Sequence, residues 1–182
     1  MQASARLFHR RRARASTGCW CSTRHRKATA CPENWLPPVR GLARNGGMSL
    51  QVKTIAVVGS GALGLYYGGR LARAGADVAF LARSDLDVLR TRGVEVRVED
   101  GNFTLPVVKA AARAEDIGPV DLVIITLKAT ANDQLGRLLP PLCHAGTAVL
   151  NLQNGLGVDE PVAAVVGAER TMGGLCFICA NR

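Results

Sequence analysis

The segment Gly59-Ser60-Gly61-Ala62-Leu63-Gly64 constrains the fold of this chain more than any other. Ahead of it lies Thr54-Ile55-Ala56-Val57-Val58, a short, almost wholly apolar run of the kind a buried parallel strand requires. Behind it, residues 65–74 read as a helix closed by Gly75, and residues 77–82 as a second strand. In such a unit each glycine has its own task. Gly59 permits a tight turn, Gly61 lets backbone approach a pyrophosphate, and Gly64 lets the helix pack closely on the strand. The unpaired N–H groups at the helix start then hold phosphates. A glycine-rich turn with no ligand is the alternative, but the flanking strand, helix and second strand meet the structural requirements of a dinucleotide-binding turn.

The rest of the body keeps the alternation. Ser84 is placed to cap a helix over 85–92, whose first turn carries Asp85 and Asp87. Residues 94–98 and 103–108 alternate and are joined by Glu99-Asp100-Gly101-Asn102, which predicts a β-hairpin. A buried strand is expected over 121–127, a helix over 130–139 stopped by Pro140-Pro141, a strand over 147–152, a helix over 158–166 and a last strand over 171–178. Strands and helices in turn predict an α/β fold with a Rossmann-type, doubly wound, mostly parallel sheet. There are no internal repeats, and no apolar stretch approaches the roughly 20 residues of a membrane span.

The net charge of +9 invites a nucleic-acid reading, but its location removes the force of that reading for the body. Residues 1–47 hold ten Lys/Arg against one acid, Glu33, whereas residues 48–182 hold 13 bases and 13 acids. The first 47 residues have no helical or strand period and too little apolar surface to offset their ordering entropy, so they are expected to form a disordered basic extension. An organellar transit peptide and a phosphate-pairing arm around Arg10-Arg11-Arg12 are the other readings of this segment. Residues 48–182 are expected to form the folded domain, with Met48 a natural start. Cys19, Cys21, His25 and Cys31 do not follow a standard zinc-finger spacing, and no metal site is expected. Arg10–Arg14 interrupts any signal-peptide core, so reduced thiols and a cytoplasmic setting are expected.

Cofactor choice is read at the end of the second strand, where an NAD site usually carries an acid for the ribose 2′-hydroxyl. Here the chain reads Leu81-Ala82-Arg83-Ser84. Arg83 can fork onto a 2′-phosphate with Ser84 as a helper donor, which favours NADP(H); a solvated surface charge is the other reading. Lys128 directly follows a strand, where it faces either solvent or the cofactor cleft, there as a cation for a carboxylate or a reacting carbonyl oxygen. Gln153-Asn154-Gly155-Leu156-Gly157 follows another strand; Asn154 is either a turn former or a hydrogen-bonding group at the nicotinamide end. Cys176 and Cys179 fall in an expected strand and read as small core residues, and Cys143-His144 receives no catalytic role.

Taken together, residues 55–64, Leu81-Ala82-Arg83, Thr126-Leu127-Lys128-Ala129 and residues 151–157 resemble the N-terminal domain of the ketopantoate (2-dehydropantoate 2-) reductase family, over about residues 53–182. The resemblance implies NADPH-dependent reduction of 2-dehydropantoate to (R)-pantoate in pantothenate synthesis. It implies that Gly59, Ser60, Gly61, Ala62, Leu63 and Gly64 bind the dinucleotide and Arg83 its 2′-phosphate. It makes Lys128 an active-site lysine and Asn154 a contact of cofactor and substrate, and it places the segment around Ala180 against the cofactor. The family also has a C-terminal helical domain that supplies the proton-donating lysine. The present chain ends at Arg182, so it is expected to be a cofactor-binding portion, weak or inactive alone and prone to self-association through a bare apolar face. Two other functions stay open: a related oxidoreductase for another 2-oxo or 3-hydroxy acid, and a non-enzymatic NADP-binding module docked on nucleic acid or membrane by its basic tail.

Overall fold

The computed structural model describes residues 52–98 and 101–181. The expectations for residues 1–47, and the turn residues Glu99 and Asp100 of the hairpin, lie outside the described residues. Strand β1 (Thr54–Val58) leads through the glycine turn into helix α1 (Ala62–Arg73), then β2 (Asp77–Leu81) and helix α2 (Leu86–Arg92). The hairpin β3 (Val94–Val96) and β4 (Phe103–Leu105) follows, then β5 (Lys109–Ala111) and β6 (Val120–Ile125). A 3-10 segment (Ala129–Gln134) runs into the short helix α3 (Leu135–Leu138), followed by β7 (Cys143–Asn151), α4 (Asp159–Val166) and β8 (Thr171–Gly173).

Six strands form one sheet in the order β5-β2-β1-β6-β7-β8, every neighbouring pair parallel. Counted along the chain within that sheet, the order is 3-2-1-4-5-6, the doubly wound arrangement expected from the sequence. β1 shows why its run is so apolar. Ile55 and Val57 point into one core with Leu65, Val78 and Phe80, while Ala56 and Val58 point into the other with Val123, Ile125, Leu135 and Val149. Both faces are covered, so neither set of alternate residues meets water. No helix among the described residues is long and apolar enough to cross a membrane.

Several boundaries differ from the expected ones. α1 begins at Ala62, so Ala62, Leu63 and Gly64 are its first turn rather than part of the preceding loop. Ser84 does not cap α2: Asp85 is the N-cap, and the Ser84 hydroxyl donates to the Asp85 carboxylate at 3.2 Å. The second arm of the hairpin stops at Leu105 ahead of Pro106, which has no N–H to donate. Lys109–Ala111 then joins the main sheet beside β2 as a strand the sequence did not announce. The helix expected over 130–139 is mostly 3-10 with a single α-helical turn.

The last strand is shorter than expected. β8 pairs only with β7, and β7 ends at Asn151, opposite Gly173. One further bond, from the Gly174 N–H to the Asn151 carbonyl at 2.8 Å, is made before the edge strand runs out of partner. Cys176 therefore lies in an irregular segment, half-buried against the core beside Tyr67, and Cys179 is exposed rather than packed inside.

At the amino ends of β1 and β6, Asp121 closes the sheet. Its carboxylate accepts from the backbone N–H groups of Lys53 and Thr54 and from the Thr54 hydroxyl, all at 2.9 Å, and the Asp121 N–H donates back to that hydroxyl at 3.0 Å. The two backbone donors, ahead of the hydroxyl, hold the carboxyl at about 2, below its ordinary 3.8. The folded protein thus binds this proton more weakly than the unfolded chain does. The clasp's stabilisation is complete above 3.8 and is lost as the pH falls through about 2. Asp121→Asn is expected to lower the melting temperature at neutral pH. The gap from the parent protein should close in acid, as thermal melts across the pH range would show.

Candidate cofactor-binding site

The site starts from two loops that touch. After β1 the chain turns at Gly59, whose φ is +113°, a conformation that side chains resist. A Cβ there would also lie 2.9 Å from the Leu127 nitrogen, so the loop after β1 rests directly on the loop after β6. Thr126 joins them: its N–H donates to the Val58 carbonyl at 2.9 Å and its hydroxyl to the Gly59 carbonyl at 2.7 Å. α1 then packs onto this junction. A Cβ on Gly64 would sit 2.0 Å from the Gly59 carbonyl oxygen and 2.6 Å from the Thr126 hydroxyl.

Gly61 differs from both. It is the N-cap of α1 in an extended conformation that any residue adopts, and a Cβ there would meet nothing within 4 Å. The protein's own packing does not require glycine at this position. Gly61 brings no capping side chain and no acid stands in the first turn of α1, so no carboxylate of its own offsets the positive end of the helix. The space beside Gly61 is open to the cleft rather than filled by the protein.

The opening is a cleft of about 290 Å³ at the carboxyl ends of β1, β2 and β6. Gly59, Ser60 and Gly61 line it together with Arg83 and Lys128, so the structure assembles these five sequence-predicted residues in one place. Ala62, Leu63 and Gly64 stand behind them in the first turn of α1. Asn154 and Ala180 do not line this cleft. Asn154 is exposed on the loop after β7, and Ala180 is half-buried in the segment after β8, one and two strands farther along the same sheet edge.

The sequence reading missed the far wall. Ala131, Gln134, Arg137 and Leu138 line the cleft opposite the glycine turn. Successive steps of three and four residues, from Lys128 to Ala131, to Gln134 and to Arg137 or Leu138, are the signal that would have found them. Among the described residues the lining then contains three cations, Arg83, Lys128 and Arg137, and no carboxylate. Asp85 and Asp87, close to Arg83 in sequence, belong to the start of α2 and stay out of the cleft. Also missed was Gln153, 8% exposed, whose amide nitrogen donates to the Asn132 side-chain oxygen at 2.7 Å.

A parallel sheet of order 3-2-1-4-5-6, with a glycine turn and a cationic cleft where the strand order reverses, defines a Rossmann-type domain of the kind that takes dinucleotides. Residues 55–182 match the family model described as ketopantoate reductase PanE/ApbA, and the chain belongs to that family. A 2-dehydropantoate 2-reductase from Nostoc sp. is 45% identical over 127 residues, covering 70% of this chain and 40% of the relative. The crystal structure of 2-dehydropantoate 2-reductase from Geobacter metallireducens is 50% identical with a TM-score of 0.69, covering 71% of this chain and 43% of that one. A D-mandelate dehydrogenase solved with NADH and anilino(oxo)acetate shares the fold at 23% identity and a TM-score of 0.59, covering 67% of this chain and 40% of that one. This chain thus spans about two fifths of the length of the relatives it matches.

The contrast between two glycines is testable without any ligand. Gly64→Ala forces a methyl group onto backbone and is expected to cost about 3 kcal/mol in urea unfolding. Gly61→Ala is expected to cost less than about 1 kcal/mol, the ordinary difference between the two residues at an N-cap.

Proposed function

We propose that this chain is the NADP(H)-binding portion of a reductase that converts 2-dehydropantoate to (R)-pantoate. The observation that carries the reading is the cleft itself: among the described residues, three cations, no acid, and a glycine turn with open space beside it. The names of the relatives support the substrate. NADPH, when bound, supplies a hydride from its nicotinamide ring.

The residues of this chain bind and orient. Gly59, Ser60 and Gly61, with the first-turn N–H groups of Ala62, Leu63 and Gly64, hold the pyrophosphate. Arg83 forks onto the 2′-phosphate and Ser84 donates beside it. Lys128 offers its ammonium to the substrate's carboxylate or carbonyl oxygen, and Asn154 hydrogen-bonds at the nicotinamide end, with the chain around Ala180 beyond it. Reduction of a carbonyl also needs a proton for the alkoxide that forms. The family resemblance assigns that proton to a lysine of the helical domain, outside the part of the relatives that residues 55–182 match, so these residues by themselves are expected to be weak or inactive. Turnover of 2-dehydropantoate at an ordinary enzymatic rate by this chain alone would refute that part of the reading.

The coenzyme assignment has its own test. In fluorescence titrations, Arg83→Ala is expected to weaken NADPH binding by about tenfold or more and NADH binding by less than about twofold. An equal loss for both coenzymes would remove Arg83 from the 2′-phosphate, and no saturable signal from the folded parent chain would overturn cofactor binding.

Leu156, Leu175 and Phe177 are almost fully exposed beyond the carboxyl ends of β7 and β8. Exposed large apolar side chains of this kind favour association. The chain is expected to self-associate with rising concentration in size-exclusion chromatography, and Phe177→Ser to shift it towards monomer.

A further inference from the structure

We propose that Gln153 is a positioning residue that ties the two loops of the reacting end together through Asn132, a role that rests on the cofactor reading above. The backbone ladder between β6 and β7 ends with the Leu152 N–H donating to the Ile125 carbonyl at 2.9 Å. Past that bond the two chains diverge into separate loops. One runs through Lys128 into the 3-10 segment Ala129–Gln134, which Lys128 caps. The other runs through Gln153 and Asn154 towards α4. The amide of Gln153 reaches back to Asn132, in the middle of that 3-10 segment, at 2.7 Å. One short bond therefore fixes the segment begun by Lys128 against the residue next to Asn154.

The second loop is itself held from below. Asn151, 1% exposed, accepts the Gln153 N–H on its side-chain oxygen at 3.2 Å. Its amide nitrogen donates to the Val158 carbonyl at 3.1 Å and to the Asp159 carboxylate at 2.7 Å. The Gln153 backbone is thus anchored, and its side chain transmits that anchorage sideways.

Packing alone does not account for this residue. Gln153 is more than nine-tenths buried, and its amide oxygen is shut away with no hydrogen-bond partner among the described residues. A leucine of similar size would fill the same space without the penalty of a buried, unsatisfied acceptor. What leucine cannot do is hold Asn132. The geometry points to a link whose value lies in where it puts Lys128 and Asn154.

The test uses the full chain with Gln153→Leu, Asn132→Leu and the double variant. In the ligand-free protein, hydrogen–deuterium exchange of residues 128–134 and 154–158 should rise in both single variants, by about tenfold for loss of one buried hydrogen bond. The double variant should be no worse than either single, because the two side chains act as one unit. With ligands, NADPH affinity should fall about tenfold while affinity for adenosine 2′,5′-bisphosphate, which lacks the nicotinamide half, stays within about twofold. A merely structural role would lower both affinities together. Unchanged exchange in residues 128–134, or equal loss for both ligands, overturns the proposal. If the parent chain binds neither ligand, the cofactor reading fails, and with it the role assigned to this link, while the exchange measurement still decides whether the link exists.

Discussion

The fit of α1 onto the turn beneath it is the contact on which the rest of the site depends. Gly64 brings the helix against the Gly59 carbonyl, and that carbonyl is held by the Thr126 hydroxyl. Three elements distant in sequence, β1, α1 and the loop after β6, thereby meet within a few ångströms. The approach is steric, so it fixes the direction in which the first turn of α1 presents its N–H groups. It also sets the floor of the cleft, because the same junction that accepts the helix places Lys128 at the rim. The switch in strand order between β1 and β6 opens the crevice, and this junction determines its base.

Electrostatics at the site is local. The chain's excess of positive charge belongs to its first 47 residues, and the remainder is balanced. The cleft is nevertheless cationic, because the loop after β2, the loop after β6 and α3 each direct one cation into it, while acids such as Asp77, Asp121 and Asp159 are engaged elsewhere by Lys109, by backbone N–H groups and by Asn151. Net charge was a poor guide to the ligand, and the arrangement of charge around a single crevice is a better one.

What was legible in the sequence was what local sterics and two-sided burial dictate. β1, β2 and β6 are apolar on both faces and stand out as runs; the glycine turn stands out because only glycine tolerates the contacts at positions 59 and 64. The place of Arg83 at the cleft was legible because the residue directly follows the second apolar strand. β5 was not, since three residues, Lys109, Ala110 and Ala111, carry no apolar pattern and become a strand only because β2 offers an edge. The truncation of β8 was hidden for the converse reason: residues 174–179 have strand-like composition but no neighbour to pair with. Arg137 and Gln153 owe their interest to tertiary neighbours, the cleft in one case and Asn132 in the other. Short-range patterns carry no trace of the second, and of the first only its helical spacing after Lys128.

The clasp at Asp121 has a consequence for how a ligand would be received. It fastens the amino ends of β1 and β6, and Thr126 fastens their carboxyl ends, so the pair is secured on both sides of its six-residue span. A strand pair fixed at both ends has little freedom to splay. The mouth of the crevice is therefore set during folding rather than at the moment of encounter. A ligand entering beside this pair would meet backbone already held in place, so the ordering of that side of the crevice is a cost of folding and not of association.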